Sequence, residues 1–386
     1  MSEQRKINVS NPELDLSESM YNLQQVLESG QLAQGPFVAR AESLLSEAIG
    51  SEHAAATING TASLKAAMVA GVAAVRGIKP EYIDRELING EIIAPAFSFN
   101  ATLNAPLQLG SKVKLVDILP DTFCVDPDQV LDSLSEQTLA VMPVDLYGQA
   151  ADTRSYEKVL KKDNIALIRD AAQAHGATID DQSIVSHSDA ISLSFYATKN
   201  ISSGEGGAVL TDNADIDRMV RIYRNQGMSV RYKYDMIGDN LRLSDLHAAI
   251  LVSQIGKLAI FTEKRQKNAK MLDKQLSSIE GIVTPKITEG MNHVYHQYTI
   301  LVGDEYGKTR DELSQQLQER GIGTGIYYPK TMADHETYKG HPRIDNSTPT
   351  PISDNVTKRA LSLPVHTKLS EEDIDYIAAN IRDLRG

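Results

Sequence analysis

The chain has 386 residues, of which 41% are hydrophobic, and its 51 acidic and 39 basic residues give a formal net charge of −12. This acidic balance argues against broad binding to nucleic acid or acidic membranes, and no stretch approaches the ~18 consecutive apolar residues of a membrane span. The single cysteine, Cys124, excludes an intrachain disulfide and fits a reducing cytoplasm, where we expect the protein to act. The length predicts one large and one smaller domain.

Helix and strand patterns alternate through the first two hundred residues. The predicted helices are Leu14–Ser29, Phe37–Ile49, Leu64–Val75, Asp126–Leu134 and Thr153–Lys161. The predicted strands are Ala54–Ile58, Ile92–Phe99, Val113–Ile118, Leu139–Val144, Ile165–Ile168, Ile191–Tyr196 and Gly206–Thr211. This alternation indicates an α/β fold with a mostly parallel sheet and helices on both faces. The charged stretch Arg76–Gly90 is expected to lie at the surface; relative to the family resemblance described below, it is an insertion.

The rest of the chain shows a different pattern. A helix over Ala214–Asn225 precedes a polar loop, Gln226–Asn240, and a long helix then runs from Ser244 to about Leu276. The elements expected after it are the strands His296–Val302 and Ile322–Tyr328 and the helices Thr309–Arg320 and Glu371–Leu384. We therefore expect a large domain over residues 1–250 and a smaller α+β domain over residues 251–386 that includes the linking helix.

The stretch Ser192–Gly207 (SLSFYATKNISSGEGG) combines a buried strand, a lysine and a glycine-rich turn. Lys199 comes just past the strand, at the position where α/β sheets bind ligands. Partial desolvation of a lysine lowers its pKa and allows its amine to form a Schiff base. The alternative is a solvated loop lysine beside a tight turn.

A second stretch, Asn164–Ala177 (NIALIRDAAQAHGA), ends a short apolar strand at Asp170 and continues in small residues. A lysine that forms an imine and a carboxylate that keeps a pyridine nitrogen protonated are the two protein groups that pyridoxal phosphate (PLP) needs. Lys199 and Asp170 supply both groups at strand ends, although Asp170 alone could equally be a helix N-cap or a loop carboxylate. No phosphate-loop, dinucleotide-binding or HExxH motif and no zinc-type Cys/His spacing is found in the sequence, so we expect no metal.

Six segments, in this order, resemble the DegT/DnrJ/EryC1/StrS family of PLP-dependent aminotransferases: NGTASL, PVDLYGQAAD, RDAAQAHGA, SFYATKNISSGEGGAVLTD, GDNLRLSDLHAAI and ALSLPVHTKLSEED. The resemblance covers the chain from about Asn59 to its end. It implies the fold type I of PLP-dependent transferases, which is similar to aspartate aminotransferase. It also implies transfer of an amino group from glutamate or glutamine to a keto-sugar, in most cases one attached to a nucleotide.

The same resemblance assigns site residues. Lys199 and Asp170 become the catalytic pair, with PLP (or its amino form, PMP) held by Lys199 as an internal imine. The residues implied to bind the cofactor are Gly60, Thr61, Ala62, Phe99, Asp170, Gln173, Ser194, Lys199 and Asn240. Of these, Gly60–Ala62 and Ser194 would hold the phosphate and Gln173 would face the phenolic oxygen. Phe99 would stack on the ring, unless it is a core phenylalanine.

The resemblance also implies a homodimer with shared active sites. Asn240 would reach the partner subunit's PLP phosphate from the loop Gln226–Asn240. Arg231 and Lys233, in the same loop, are candidates for binding substrate phosphates, the alternative being exposed loop cations. Tyr327 would line the substrate pocket where many family members have histidine.

Two further residues depart from the family pattern, since Asp145 replaces a frequent histidine and Arg169 replaces a frequent acidic residue. His175 is expected to be a packed, hydrogen-bonded histidine rather than a general base. Three other functions stay open: transfer to a keto-cyclitol, a PLP-dependent dehydratase or lyase, and a non-catalytic PLP-binding regulator. Lys199 argues against the dehydratase, because that branch of the family has histidine at the lysine position.

Overall fold

The computed structural model describes residues 5–386. Its helices are α1 Leu16–Ser29, α2 Pro36–Ile49, α3 Gly60–Arg76, α4 Ile83–Ile88, α5 Ala101–Gln108, α6 Pro127–Ser133, α7 Glu157–Lys162, α8 Ala214–Tyr223, α9 Asp245–Ile255, α10 Leu258–Leu276, α11 Arg310–Glu319, α12 Pro351–Arg359 and α13 Glu371–Asp383. Its strands are β1 His53–Thr57, β2 Glu91–Pro95, β3 Lys112–Val116, β4 Thr138–Val141, β5 Ala166–Asp170, β6 Thr178–Ile179, β7 Gln182–Ser183, β8 Ala190–Ser194, β9 Gly207–Thr211, β10 Met228–Val230, β11 Lys233–Tyr234, β12 Ile282–Val283, β13 Met291–Asn292, β14 Tyr298–Val302, β15 Ile344–Asp345 and β16 Ala360–Leu363.

Eight of these strands form one sheet in the order β1-β9-β8-β5-β4-β2-β3-β15. Strands β8, β5, β4, β2, β3 and β15 run parallel, and only β9 is antiparallel to its two neighbours. The central strands are buried along their whole length, as expected where helices cover both faces. The predicted α/β fold with a mostly parallel sheet is confirmed.

Helix α3 packs against the middle of this sheet through a face of small residues. Ala66, Ala67 and Ala70 are fully buried. Gly71 lies so close to β5 that an added Cβ would come within 2.3 Å of Ile168 Cδ1. This close approach brings the axis of α3 near to β5.

The C-terminal part of the chain contains the antiparallel sheet β12-β14-β16 with its own apolar core. The prediction of one long helix from Ser244 to Leu276 is wrong in one respect, because the segment divides at Gly256 and Lys257 into the two helices α9 and α10. Glycine has a low helix propensity, and the two halves pack on different partners, α9 against α1 and α2, and α10 against α13. The domain division between residues 250 and 251 stays a prediction.

Three other segments differ from the predictions. Residues 322–328 form no strand and pair only at the single bridges Ile322–Ile7 and Gly325–Ser362. The insertion after Arg76 contains α4, which buries Ile83 and Leu87. The polar loop 226–240 contains the hairpin formed by β10 and β11.

Within residues 5–386, no single helix is long and apolar enough to cross a membrane. One pair of helices, α3 together with the segment 80–88, has the necessary length and composition, but it bends by 116°.

Candidate active site

A cavity of about 920 Å³ opens at the carboxyl end of the parallel strands. Strand β5 ends at Asp170 and its parallel neighbour β8 ends at Ser194, so both side chains reach the same edge of the sheet. The predicted site residues that line this cavity are Gly60, Thr61, Ala62, Phe99, Asp170, Gln173, Ser194, Lys199 and Tyr327. The fold thus brings together residues that lie up to 267 positions apart in the sequence, Gly60 and Tyr327 being the extremes.

Lys199 lies in the turn that follows β8, where its backbone N–H donates to the carbonyl of Tyr196 at 2.9 Å. Burial lowers the pKa of its amine to about 8, although the negative charge of Asp170 acts in the opposite direction. Among residues 5–386 the amine has no hydrogen-bond or ion-pair partner. More of Lys199 is therefore neutral and nucleophilic near neutral pH than of a lysine with the usual pKa.

Asp170 is 7% exposed and accepts a hydrogen bond from the backbone N–H of Ala172 at 3.2 Å. Burial raises the pKa of its carboxyl to about 6, while the Ala172 hydrogen bond and Lys199 act to lower it. A cation placed beside this carboxyl would stabilise its charged form.

The start of α3 forms an anion cradle. Within the described residues the N–H groups of Gly60 and Thr61 have no hydrogen-bond partner, whereas that of Ala62 donates to Asn59 Oδ1 at 2.9 Å. A Cβ added to Gly60 would come within 2.6 Å of the Ser194 Cβ, so only glycine allows this turn to approach β8. Free N–H groups at a helix start, beside a serine hydroxyl, suit a phosphate.

Gln173 is held by two neighbours. The backbone N–H of Tyr147 donates to its Oε1 at 2.7 Å, and its Nε2 donates to the Tyr328 hydroxyl at 2.8 Å. Tyr147 adopts a φ of 58°, which is uncommon for a residue with a side chain and fixes the turn after β4. Tyr328 lines the cavity but was not among the predicted site residues.

Two other predicted site residues, Phe99 and Tyr327, line the cavity. Phe99 is 57% exposed and lies beyond the end of β2, at Pro95, so the strand predicted to run to Phe99 is shorter than expected. Tyr327 is 40% exposed, with its ring centroid 6.5 Å from that of Tyr328. Neither ring is part of the apolar core, so the alternative that Phe99 is a core phenylalanine is wrong.

Three predicted residues lie outside this cavity: Asn240, Arg231 and Lys233. All three are exposed in or after the hairpin β10–β11. The Arg231 guanidinium lies 5.1 Å from the Tyr232 ring centroid, and Lys233 is 3.6 Å from Asp235. None of the three lines the cavity of its own chain, although Asp239 and Leu241, the sequence neighbours of Asn240, do.

The two departures from the family pattern contact each other. Arg169 Nη1 donates to Asp145 Oδ1 at 2.7 Å, and both side chains are fully buried. Arg169 also donates to the Ala151 carbonyl and to Thr153 Oγ1. Asp145 in turn donates its backbone N–H to the Asp170 carbonyl at 2.9 Å. The ion pair therefore lies directly behind the carboxylate that lines the cavity.

His175 is fully buried, with Nε2 2.8 Å from the Ser194 carbonyl, which confirms the prediction of a packed, hydrogen-bonded histidine. Burial and the nearby Lys199 lower its pKa to about 3.

Sequence reasoning missed several residues that line the cavity: Lys65, Asp239, His247, His296, Gln297 and Tyr328. Lys65 and Asp239 form an ion pair of 3.0 Å at its wall, a contact that no local pattern indicates.

The model of the DegT/DnrJ/EryC1/StrS aminotransferase family matches residues 14–382. The chain belongs to this family. It is similar to a pleiotropic regulatory protein of Geobacillus stearothermophilus, with 33% identity over 96% of this chain and 98% of the relative. It is also similar to the UDP-2-acetamido-2-deoxy-3-oxo-D-glucuronate aminotransferase of Pseudomonas aeruginosa, with 31% identity over 92% of this chain and 93% of the relative.

Among solved structures, the S. venezuelae protein DesV, determined in complex with a ketimine intermediate, has 27% identity and a TM-score of 0.86. The match covers 95% of this chain and 94% of DesV. The chain is thus a PLP-dependent aminotransferase with the fold of these enzymes, as predicted.

The described residues fit PLP. The cavity contains an unpaired amine at Lys199, a buried carboxyl at Asp170 and free N–H groups at Gly60 and Thr61. These groups match an aldehyde, a pyridine nitrogen and a phosphate, the three functional ends of the cofactor.

Proposed function

We propose that this aminotransferase moves an amino group from glutamate or glutamine to the ketone of a sugar attached to a nucleotide. The observation that carries the proposal is the convergence of Lys199, Asp170 and the phosphate cradle on one cavity of about 920 Å³. When bound, PLP supplies an electron sink for the carbon that carries the amino group.

Lys199 has two roles in this proposal. Its neutral amine holds the cofactor, and once released it carries a proton between the donor carbon and the cofactor as a general base and then a general acid. The lowered pKa, about 8, favours both roles, because an amine with a pKa near the working pH accepts and returns a proton readily.

Asp170 would pair with the protonated ring nitrogen. Its burial makes an isolated negative charge unfavourable, so a cation at that position restores the ionised form of the carboxyl. Gly60 and Thr61 would donate their N–H groups to the phosphate, and Ser194 its hydroxyl. Ala62 stays a candidate for the same role, which would require Asn59 Oδ1 to release its N–H.

We further propose that the active form is a homodimer in which Asn240, Arg231 and Lys233 act in the partner subunit's cavity. Two exposed apolar surfaces support this. The hairpin region exposes Tyr232, Tyr234 and Ile237 at 71%, 63% and 74%. Helix α1 exposes Leu16 and Met20 at 70% and 64%. Apolar patches of this kind mark interaction sites.

A mixture of two inactive variants tests this arrangement. If Asn240 acts across the interface, Lys199→Ala and Asn240→Ala subunits combine into heterodimers with one intact site each. An equal mixture that exchanges subunits freely should then recover about a quarter of wild-type activity. No recovery in a mixture shown to contain heterodimers would place Asn240 and Lys199 in the same subunit's site.

The acceptor is proposed from the relatives and from the size of the cavity. The P. aeruginosa relative is named for a UDP-linked keto-sugar, and the exposed rings of Phe99 and Tyr327 offer apolar surface for a sugar face. A panel of UDP-, GDP- and dTDP-linked keto-sugars, compared with free keto-sugars and keto-cyclitols, tests the proposal. Transfer to the free compounds alone would favour the keto-cyclitol alternative.

A second candidate is a regulatory protein that binds PLP without turnover, which the name of the G. stearothermophilus relative favours. It predicts bound cofactor and no exchange of amino groups between donor and keto acid. Isotope exchange between labelled glutamate and 2-oxoglutarate separates the two candidates.

We place the enzyme in the cytoplasm, since its single cysteine fits a reducing compartment.

A further inference from the structure

The segment 239–241 runs in an extended conformation along the edge of the cavity. The N–H groups of Asp239 and Leu241 donate to carbonyls at the C-terminal end of α8, at 2.8 and 2.9 Å. Asp239 and Leu241 line the cavity, whereas Asn240, between them, does not line it and is exposed. Successive side chains of an extended chain point to opposite sides, so Asn240 points away from the cavity of its own subunit.

Both carboxylate oxygens of Asp239 are engaged. Its Oδ1 accepts a hydrogen bond from the backbone N–H of Asn240 at 2.8 Å, and its Oδ2 lies 3.0 Å from Lys65 Nζ. Burial acts to raise the pKa of Asp239, but the hydrogen bonds from Lys65 and from the Asn240 N–H lower it, so the carboxyl is ionised at neutral pH. The carboxylate thus fixes the peptide group that carries Asn240.

Lys65 joins this segment to helix α3. It lies one turn after Thr61 in α3, a helix that packs against the sheet. The Lys65 side chain is 19% exposed, and among residues 5–386 its amine has no hydrogen-bond or ion-pair partner besides Asp239. The ion pair therefore ties the segment 239–241 to a helix that is fixed on the sheet.

Lys65 has two directions in which it can act. Residues four apart lie on the same face of a helix, so Lys65 lies on the face of α3 that carries Thr61, a residue of the phosphate cradle. Drawing its amine towards an anion in its own cavity would, however, leave the Asp239 carboxylate without its counter-charge. The other direction leads through Asp239 to Asn240, whose side chain has no hydrogen-bond partner within the described part of the chain.

We propose that Lys65 and Asp239 are positioning residues for the cofactor site of the partner subunit, because their ion pair fixes the segment that presents Asn240 across the dimer interface. The inference rests on the homodimer and on the role of Asn240 proposed above. Neither Lys65 nor Asp239 touches the cofactor in this arrangement. Loss of the pair releases Asn240, which weakens PLP binding in the partner's cavity and leaves binding in the subunit's own cavity unchanged.

The test uses two heterodimers, each purified through a different tag on each subunit. Both carry one Lys65→Met and one Lys199→Ala substitution, placed in the same subunit in the first heterodimer and in different subunits in the second. A Lys199→Ala subunit cannot form the visible band that requires Lys199. Titration of this band with PLP therefore reports the affinity of the single site that keeps its lysine.

The two heterodimers should differ although they contain the same substitutions. In the first, the site that keeps Lys199 receives Asn240 from the Lys65→Met subunit, so its Kd for PLP should rise about threefold to fivefold, the effect of losing a partly exposed ion pair. In the second, that site has lost its own Lys65 but receives Asn240 from an intact segment, so it should bind PLP as the wild type does.

Other results would overturn the inference. A weaker second heterodimer would mean that Lys65 acts in its own cavity, and equal affinities would mean that the ion pair has no part in PLP binding. A homodimer with Lys65→Arg, which keeps the charge, should bind PLP as the wild type does; a loss like that of the Lys65→Met homodimer would show that the charge is not the cause.

Asn240→Ala in the same two arrangements distinguishes this inference from the proposed function. If Asn240→Ala weakens PLP binding across the interface and Lys65→Met does not, the positioning role of Lys65 and Asp239 fails alone. If Asn240→Ala weakens binding only in its own subunit's cavity, the proposed arrangement of the dimer fails, and the positioning role fails with it.

Discussion

The buried ion pair behind Asp170 allows a sharp prediction about stability. Arg169 and Asp145 are both fully buried and 2.7 Å apart, and Arg169 donates further hydrogen bonds to Ala151 and Thr153. Replacing Arg169 by Met leaves Asp145 as an uncompensated buried charge. Breaking such a pair costs about 3–5 kcal/mol, which is about a fifth or more of the typical 5–15 kcal/mol of stability.

A double-mutant cycle separates this coupling from local damage. Arg169→Met and Asp145→Leu should each lower the free energy of unfolding by about 3–5 kcal/mol, while the double variant should lose less than either, because removing both charges is close to neutral. Urea denaturation of the four proteins measures the cycle. Additive losses in the double variant would refute the argument that the pair functions as a unit.

The pH dependence of the unfolding free energy gives a second test with the Arg169→Met variant. Burial raises the pKa of Asp145 and Arg169 opposes that shift, so without Arg169 the folded state binds a proton that the unfolded state releases. Unfolding free energy then falls as pH rises. The loss in Arg169→Met should therefore be smaller at pH 5 than at pH 8, and an equal loss at both would contradict this reasoning.

Three other outcomes are expected. Gly60→Ala should weaken PLP binding about tenfold or more, because the added Cβ would lie 2.6 Å from the Ser194 Cβ. Gly256→Ala, whose Cβ meets open space, should leave PLP binding unchanged. Spectral titration with PLP compares the two variants. Burial raises the pKa of Asp170 to about 6, so the stability of the cofactor-free protein should fall as pH rises from 4 to 6. Asp170→Asn should abolish this fall, which thermal melts at several pH values measure. Ser370 accepts from the Asp373 N–H at the start of α13, so Ser370→Ala should cost about 1 kcal/mol in urea denaturation, and no loss would exclude the cap as a source of stability.

The sequence was sufficient for the residues at the strand ends. A short apolar run before Asp170 identifies β5, and alternation over residues 191–196 identifies β8, although β8 ends two residues earlier, at Ser194. Parallel strands bring the ends of both to one edge of the sheet. Asp170 and Lys199 could therefore be placed at the ends of strands from the sequence alone, whereas Ser194 was assigned by the resemblance to the family. The resemblance to the family supplied their chemical roles.

Contacts between distant segments could not be read in this way. The Gln173–Tyr328 hydrogen bond joins residues 155 positions apart, and it depends on the positive φ of Tyr147, a residue type that does not favour that conformation. Asp145 and Arg169 were recognised as departures from the family pattern, but only the packing of the turn after β4 against β5 shows that they form a pair.

The incorrect elements have a common cause. Apolar spacing continues through Gly256 and through residues 322–328, but spacing does not reveal which partner an element packs against. Helices α9 and α10 pack on different parts of the protein, so the helix divides. Residues 322–328 approach the cavity through Tyr327 and Tyr328 rather than extending a sheet.

The measurement that tests the central claim most directly is the visible spectrum of the PLP-loaded protein before and after addition of glutamate or glutamine. We expect a visible band that the donor bleaches with release of one keto acid per site, and no donor-dependent bleaching in Lys199→Ala. A wild-type band that neither donor bleaches would contradict amino-group transfer from these donors through Lys199, and equal bleaching in Lys199→Ala would contradict the role of the lysine.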